Sequence, residues 1–147
     1  MPDSAKPRGY ILGFDFGLRR IGVAVGQATT HTASSLEIVS NGQKPDWAAI
    51  DRLVAEWKPC LLLVGLPLGS EGDETAMSAA ARSFGAALLK RYAREVEFAD
   101  ERLSSRAARE RVTALRAEGG MKKKNSGQLD AMAAQIILEN WLQSLHD

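Results

Sequence analysis

Apolar residues in this chain fall into short runs and into helical stripes. Tyr10 to Phe16 (YILGFDF) and Ile21 to Gln27 (IGVAVGQ) are short, β-rich runs separated by Gly17, Leu18, Arg19 and Arg20, which predicts a hairpin. A third strand is expected at Ser35 to Val39. Between Pro45 and Trp57 the residues Trp47, Ile50, Val54 and Trp57 recur at helical spacing, with Pro45 and Asp46 suited to a first turn. Cys60 to Gly65 (CLLLVG) is a continuous apolar run after Pro59, as expected of a central parallel strand covered on both faces.

Beyond Pro67, a glycine-containing loop from Gly69 to Gly72 leads into an alanine- and leucine-rich helical segment from Thr75 to Arg94, followed by a short strand at Val96 to Ala99. Ser104 or Ser105 can cap a helix that carries Ala108, Val112 and Leu115 on one side and arginines on the others, ending at Gly119 and Gly120. The last helix is expected from Gln128 to Leu145. Its apolar residues cover much of the circumference, which predicts burial on more than one side. The resulting βββαβαβαα order predicts an α/β fold with a mixed five-stranded sheet, three antiparallel strands then two parallel, and helices on both faces. The ribonuclease H-like fold has this order, as could other α/β domains, and a fold alone names no chemistry.

A length of 147 residues with 45% hydrophobic content suits one domain spanning residues 1–147. The single cysteine, Cys60, rules out a disulfide framework and a CxxC metal knuckle, and its place at the head of an apolar run predicts a buried thiol. The apolar stretch after Lys6 and Arg8 is cut by Asp15 and is too short for a signal peptide or a membrane span, so the expected location is the cytoplasm, with no membrane partner. Net charge is only +1, but from Arg102 to Lys124 eight basic residues face two acidic ones. That stretch is either a solvated arginine-bearing helix with a lysine loop or a surface for an acidic partner.

Asp15 stands inside an apolar strand, where an uncompensated buried carboxylate costs several kcal/mol. Arg19 or Arg20 across the hairpin, water at an edge, or a metal ion or substrate must neutralise it. Glu101 lies in the triplet Asp100, Glu101, Arg102 just after a strand, at the carboxyl edge where α/β sheets commonly place ligands, and either acid could serve. Asp130 is expected in the first turn of the last helix, where the helix dipole favours a carboxylate with or without function. Together the three carboxylates suit Mg²⁺ or Mn²⁺ in a two-metal site for phosphoryl displacement. His31 lies in a loop and His146 at the chain end, which excludes HExxH zinc and Ser-His-Asp hydrolases, and no GxxxxGK occurs. The segment GLPLGSEG, Gly65 to Gly72, could bring backbone N–H groups to a phosphate or could simply turn the chain. Lys122, Lys123 and Lys124, just ahead of Asp130, favour a phosphate backbone as partner. Trp47, Trp57 and Trp141 have aliphatic neighbours at helical spacing, which assigns them to packing rather than base stacking.

These residues resemble the YqgF/RuvX family, described as Holliday junction resolvases and as pre-16S rRNA nucleases. The resemblance covers nearly the whole chain and rests on GFDFGLRRIGVAVG at Gly13 to Gly26, VGLPLGSEG at Val64 to Gly72, DERLSS at Asp100 to Ser105, and KKKNSGQLDAMAAQIILENWL at Lys122 to Leu142. It implies a ribonuclease H-like nuclease, a hydrolase of phosphodiester bonds, whose catalytic and metal-binding acids match Asp15, Glu101 and Asp130. The implied substrate is the 5′ end of the precursor of small-subunit rRNA, in ribosome biogenesis. Leu18 stands where the family commonly has threonine or serine, which removes a candidate hydroxyl contact, and Leu129 stands where valine is usual, which changes only packing.

The expected mechanism has Asp15 shared between two Mg²⁺ or Mn²⁺ ions, with Glu101 and Asp130 each on one side. Arg19, Arg20, Arg102, Arg106, Lys122, Lys123 and Lys124 are the candidate nucleic-acid contacts, holding the backbone without reading sequence. Branched DNA is the alternative substrate. A non-catalytic nucleic-acid-binding module is the alternative class, and it would gain from losing the acids. The Asp-x-Gly hairpin also resembles the first phosphate motif of the actin, Hsp70 and sugar-kinase ATPases, but 147 residues leave no room for their second lobe. Either a monomer or a weak homodimer would suit such an enzyme.

Overall fold

In the computed structural model of the chain the described residues are 9–102, 110, 113–114 and 131–145. The elements are β1 (Tyr10–Phe16), β2 (Arg20–Gln27), β3 (Thr32–Ser40), α1 (Trp47–Trp57), β4 (Leu61–Leu66), α2 (Ala76–Tyr92), β5 (Glu95–Asp100) and α3 (Met132–Ser144). The sheet order is β3-β2-β1-β4-β5, with β1, β2 and β3 an antiparallel meander and β4 and β5 parallel to β1. This is the mixed five-stranded sheet that the sequence predicts.

Side-chain alternation along β1 separates two cores. Leu12 and Phe14, with Ile21 and Val23 of β2 and Leu62 and Val64 of β4, face α1 and α2 and pack on Ile50, Leu53, Phe84 and Leu88. Ile11, Ala24, Leu61 and Leu63 face the other way, against Ala134, Ile137, Leu138 and Leu142 of α3. On that second face β1 presents Gly13, where a Cβ would lie 3.3 Å from Leu138, so α3 rides close to the strand. Helices therefore cover both faces.

The helix boundaries follow local chemistry. Asp46 caps α1 by accepting from the Ala49 N–H at 3.3 Å, rather than joining the first turn, and Lys58 ends the helix in the left-handed region at φ 46°. Thr75 and Ser78 form a reciprocal capping box at the start of α2. Across the two helices the Asp51 carboxylate accepts from Arg91 Nε and Nη2, each at 2.8 Å, and from the Tyr92 hydroxyl at 2.5 Å.

Some expectations change. β3 starts three residues earlier than the apolar pattern predicts, because Thr32, Ala33 and Ser34 pair through their backbones with Gln27, Gly26 and Val25 and need no apolar side chain on this edge strand. Cys60 is exposed rather than buried, since pairing with β5 begins at Leu61 and leaves the thiol at the sheet margin, near the Tyr10 carbonyl at 3.4 Å. Trp47 stacks on Phe84 at 5.8 Å, and Trp57 meets Tyr10 edge-on at 5.0 Å, both in packing roles. Of the helix expected after Ser104, only Glu110, Thr113 and Ala114 are among the described residues, and they are helical; residues 128–130 lie outside them. Among the described residues no helix is long and apolar enough to cross a membrane.

Candidate active site

Because β1, β4 and β5 run parallel, their carboxyl ends share one edge of the sheet. Asp15, half-buried, is the second-last residue of β1. It is paired with Gly22 of β2, and the next step of the β1–β4 register past Phe14 and Val64 sets it beside Gly65. Glycine thus flanks Asp15 on both sides, and alternation turns all three positions toward the α3 face.

The two glycines differ in what a side chain there would meet. A Cβ at Gly65 would lie 2.6 Å from Glu101 Oε2 and 3.1 and 3.2 Å from its Cγ and Cδ, so the Glu101 carboxylate lies over Gly65, on Asp15's side of the sheet. Its own N–H donates to the Leu66 carbonyl at 3.0 Å, which carries the β4–β5 ladder one residue past the end of β5. At Gly22 the nearest atom to a Cβ is Ala131 Cα at 3.5 Å. Ala131 stands at the N-terminal boundary of α3, with no side-chain capping bond, and directly follows Asp130 in the chain.

Register also separates the two neighbouring acids. Asp100 pairs with Leu66, on the opposite face from Gly65, and its carboxylate accepts from Arg102 Nη2 at 2.6 Å and from the Arg102 backbone N–H at 2.9 Å. These bonds from Arg102 hold the Asp100 carboxyl below its ordinary range and push the Arg102 guanidinium up. Asp100 is thereby engaged by Arg102, and Glu101 is the acid that shares a face with Asp15.

The remaining candidates divide by position. Arg19 in the β1–β2 turn and Arg20 at the first position of β2 are exposed, at the same sheet edge as Asp15. Arg102 is exposed, tied to Asp100, with its guanidinium 3.4 Å from where a Gly72 Cβ would be. Asp130, Arg106, Lys122, Lys123 and Lys124 lie outside the described residues. Among the described residues no group of three or more His, Cys, Asp or Glu forms a metal site.

In the loop after β4, two of the backbone donors are already engaged within the chain. The Gly69 N–H donates to the Asp73 carbonyl and the Gly72 N–H to the Gly69 carbonyl, both at 2.8 Å, so these two donors close a turn. Buried Ser78 ties that loop to α2 through its hydroxyl and the Pro67 carbonyl. Sequence reasoning also missed Asn41, the other buried polar residue among those described. Its Nδ2 donates to the Gly17 carbonyl at 2.6 Å and its N–H to the Arg19 carbonyl at 2.9 Å, fixing the turn beside Asp15. Nothing local in the sequence revealed a partner 24 residues away.

Comparison with known proteins adds family context. Residues 9–144 match the RuvX family model, described as Holliday junction resolvase. A "Putative pre-16S rRNA nuclease" of Hydrogenovibrio crunogenus is 49% identical over 142 residues, covering 95% of this chain and 98% of that one. One of the same name from Nitrosococcus oceani is 47% identical, covering 96% and 90%. Among solved structures, Thermus thermophilus RuvC in complex with Holliday junction substrate aligns with a TM-score of 0.53 at 16% identity, over 95% of this chain and 96% of that one. The yeast mitochondrial Holliday junction resolvase Ydc2 aligns at 0.50 and 12% identity, over 94% and 79%. These structural likenesses concern the fold, which is that of the ribonuclease H-like resolvases.

Proposed function

The chain belongs to the RuvX family of nucleases, hydrolases of phosphodiester bonds, and on that premise we propose that it trims the 5′ end of the precursor of 16S rRNA. The observation that carries the assignment of the site is the Glu101 carboxylate lying over Gly65, beside Asp15, at the carboxyl edge of the sheet. Near-full-length relatives named for pre-16S rRNA support RNA as the substrate.

The residues fit a divalent metal on their own chemistry. Asp15 and Glu101 offer hard carboxylate oxygens on one face, in a space that a side chain at position 65 would fill. With Asp130, they are the residues that would hold Mg²⁺ or Mn²⁺ in a two-metal site. When bound, such ions supply a lowered pKa for the attacking water and positive charge for the leaving oxygen. The chain does the placing: β1 fixes Asp15 inside the sheet, and the Glu101 backbone bond to Leu66 fixes the second acid.

Arg19, Arg20, Arg102, Arg106, Lys122, Lys123 and Lys124 would take the phosphates of the nucleic acid without regard to base sequence. The Arg102–Asp100 pair is exposed, and such a pair contributes about 0–1 kcal/mol, so a phosphate competes readily for that guanidinium. We place the enzyme in the cytoplasm as a single domain over residues 1–147, working as a monomer or weak homodimer.

Branched DNA is the second reading, favoured by the family description and by the fold shared with a resolvase solved on its junction. One experiment separates the two. Wild type and Asp15→Asn are incubated with precursor rRNA and with a four-way DNA junction, with and without Mn²⁺. The proposal expects metal-dependent cleavage of the rRNA that falls at least about a hundredfold in Asp15→Asn. Cleavage of the junction alone would select the resolvase reading, and metal-independent binding without product would select a binding module.

A further inference from the structure

The β1–β2 turn is held more firmly than its surface position requires. Asn41, only 5% exposed, donates to the carbonyls of Gly17 and Arg19, one on each side of Leu18. A Cβ at Gly17 would lie 2.7 Å from the Arg20 carbonyl oxygen, so the turn also closes tightly on itself. Yet the residue between these anchors points into water: Leu18 is 65% exposed, more than any other large hydrophobic side chain among the described residues.

Holding a leucine in solvent on a fixed backbone costs conformational entropy and buries no apolar surface in the folded chain. A partner that covers it would recover that loss. Its surroundings say what kind. Exposed Arg19 and Arg20 follow it directly, and three residues of chain keep it within about 10 Å of Asp15. An apolar tip between the catalytic edge and two cations matches a nucleotide, with a flat base for the leucine and phosphates for the arginines.

We propose that Leu18 packs on the face of an unstacked base next to the scissile phosphate, and that Asn41 is the positioning residue that holds it there. This rests on the nuclease reading above. Unstacked bases occur both in single-stranded RNA and at the branch point of a DNA junction, so the contact chemistry is shared by the two substrates.

The test uses binding without metal, so that it does not depend on turnover. 2-Aminopurine is placed at successive positions of a single-stranded precursor rRNA fragment, and at the branch point of a four-way DNA junction, in EDTA. Wild type is expected to change the fluorescence at one position, and Leu18→Ala to lose that change and bind about tenfold more weakly, with an unaltered Tm. A response in one arm alone supports the contact and names its source. Asn41→Ala should give the same loss, and Leu18→Ala with Asn41→Ala no more than either alone; additive losses would overturn the positioning role. Equal binding and equal fluorescence for wild type and Leu18→Ala would overturn the proposal. Absence of cleavage by wild type in Mn²⁺ would instead count against the nuclease reading, while the binding result on Leu18 stood.

Discussion

Gly65→Ala tests the site through a residue that has no chemistry of its own. The new Cβ would lie 2.6 Å from Glu101 Oε2, whereas ordinary contact begins near 3.4 Å. The carboxylate must therefore retreat by about 0.8 Å, and a misplacement of about 1 Å in a catalytic group can cost on the order of a hundredfold in rate. The cost in stability is small by comparison. What yields is the far end of a flexible side chain, and replacing glycine in a strand gains roughly 0.5–1 kcal/mol, so Tm should stay within about 5 °C of wild type. The assay pairs a thermal melt with single-turnover cleavage of labelled precursor rRNA in Mn²⁺. Glu101→Gln should lose a similar factor, and the double variant should lose no more than either, because both act on one carboxylate. A folded Gly65→Ala protein that cleaves at the wild-type rate would refute the role given to Glu101.

Gly85→Ala is the structural counterpart: its Cβ would meet Phe98 Cζ at 2.5 Å and Cε1 at 2.9 Å between α2 and β5, so a loss of about 1–3 kcal/mol is expected in urea unfolding, with cleavage at 25 °C unchanged. Asp51 gives a pH signature. The bonds from Arg91, then Tyr92, hold its carboxyl at about 2, below the unfolded value of about 3.9, so its contribution is complete above pH ~4 and disappears as pH falls through about 2. The Tm gap between wild type and Asp51→Asn should narrow over that window, and parallel curves would contradict it. Finally, Mg²⁺ should raise the Tm of wild type, and Glu101→Gln should melt higher than wild type in EDTA but respond less to Mg²⁺.

The sheet was legible because its chemistry is local. YILGFDF, IGVAVGQ and CLLLVG announce strands through their own side chains, and the first and last of these supply the parallel pair at the site. β3 was shortened because Thr32 to Ser34 pair through the backbone alone, and Cys60 was misplaced because an apolar run does not say where pairing starts. Asp15 stood out as a charge among apolar neighbours. Glu101 could not be told from Asp100 by sequence, since the choice depends on register: Asp100 lies opposite Leu66, and the next residue returns to the face of Gly65. Asn41 was invisible because its two acceptors belong to another strand's turn.

The two glycines beside Asp15 weigh against a purely structural role for that acid. A strand gains from β-branched residues and loses roughly 0.5–1 kcal/mol at each interior glycine, yet β2 and β4 carry Gly22 and Gly65 where they flank Asp15. At Gly65 the space so made receives the Glu101 carboxylate, while at Gly22 Ala131 lies at ordinary contact distance. The Glu101 carboxylate over Gly65 brings a second negative charge to the face that Asp15 occupies, and like charges on one face repel. A fold selected for stability alone would keep Glu101 off this face. That the backbone instead gives up side chains to bring it there is what a cation-binding site requires, and it is why removing the Glu101 charge should stabilise the metal-free protein while weakening its response to Mg²⁺.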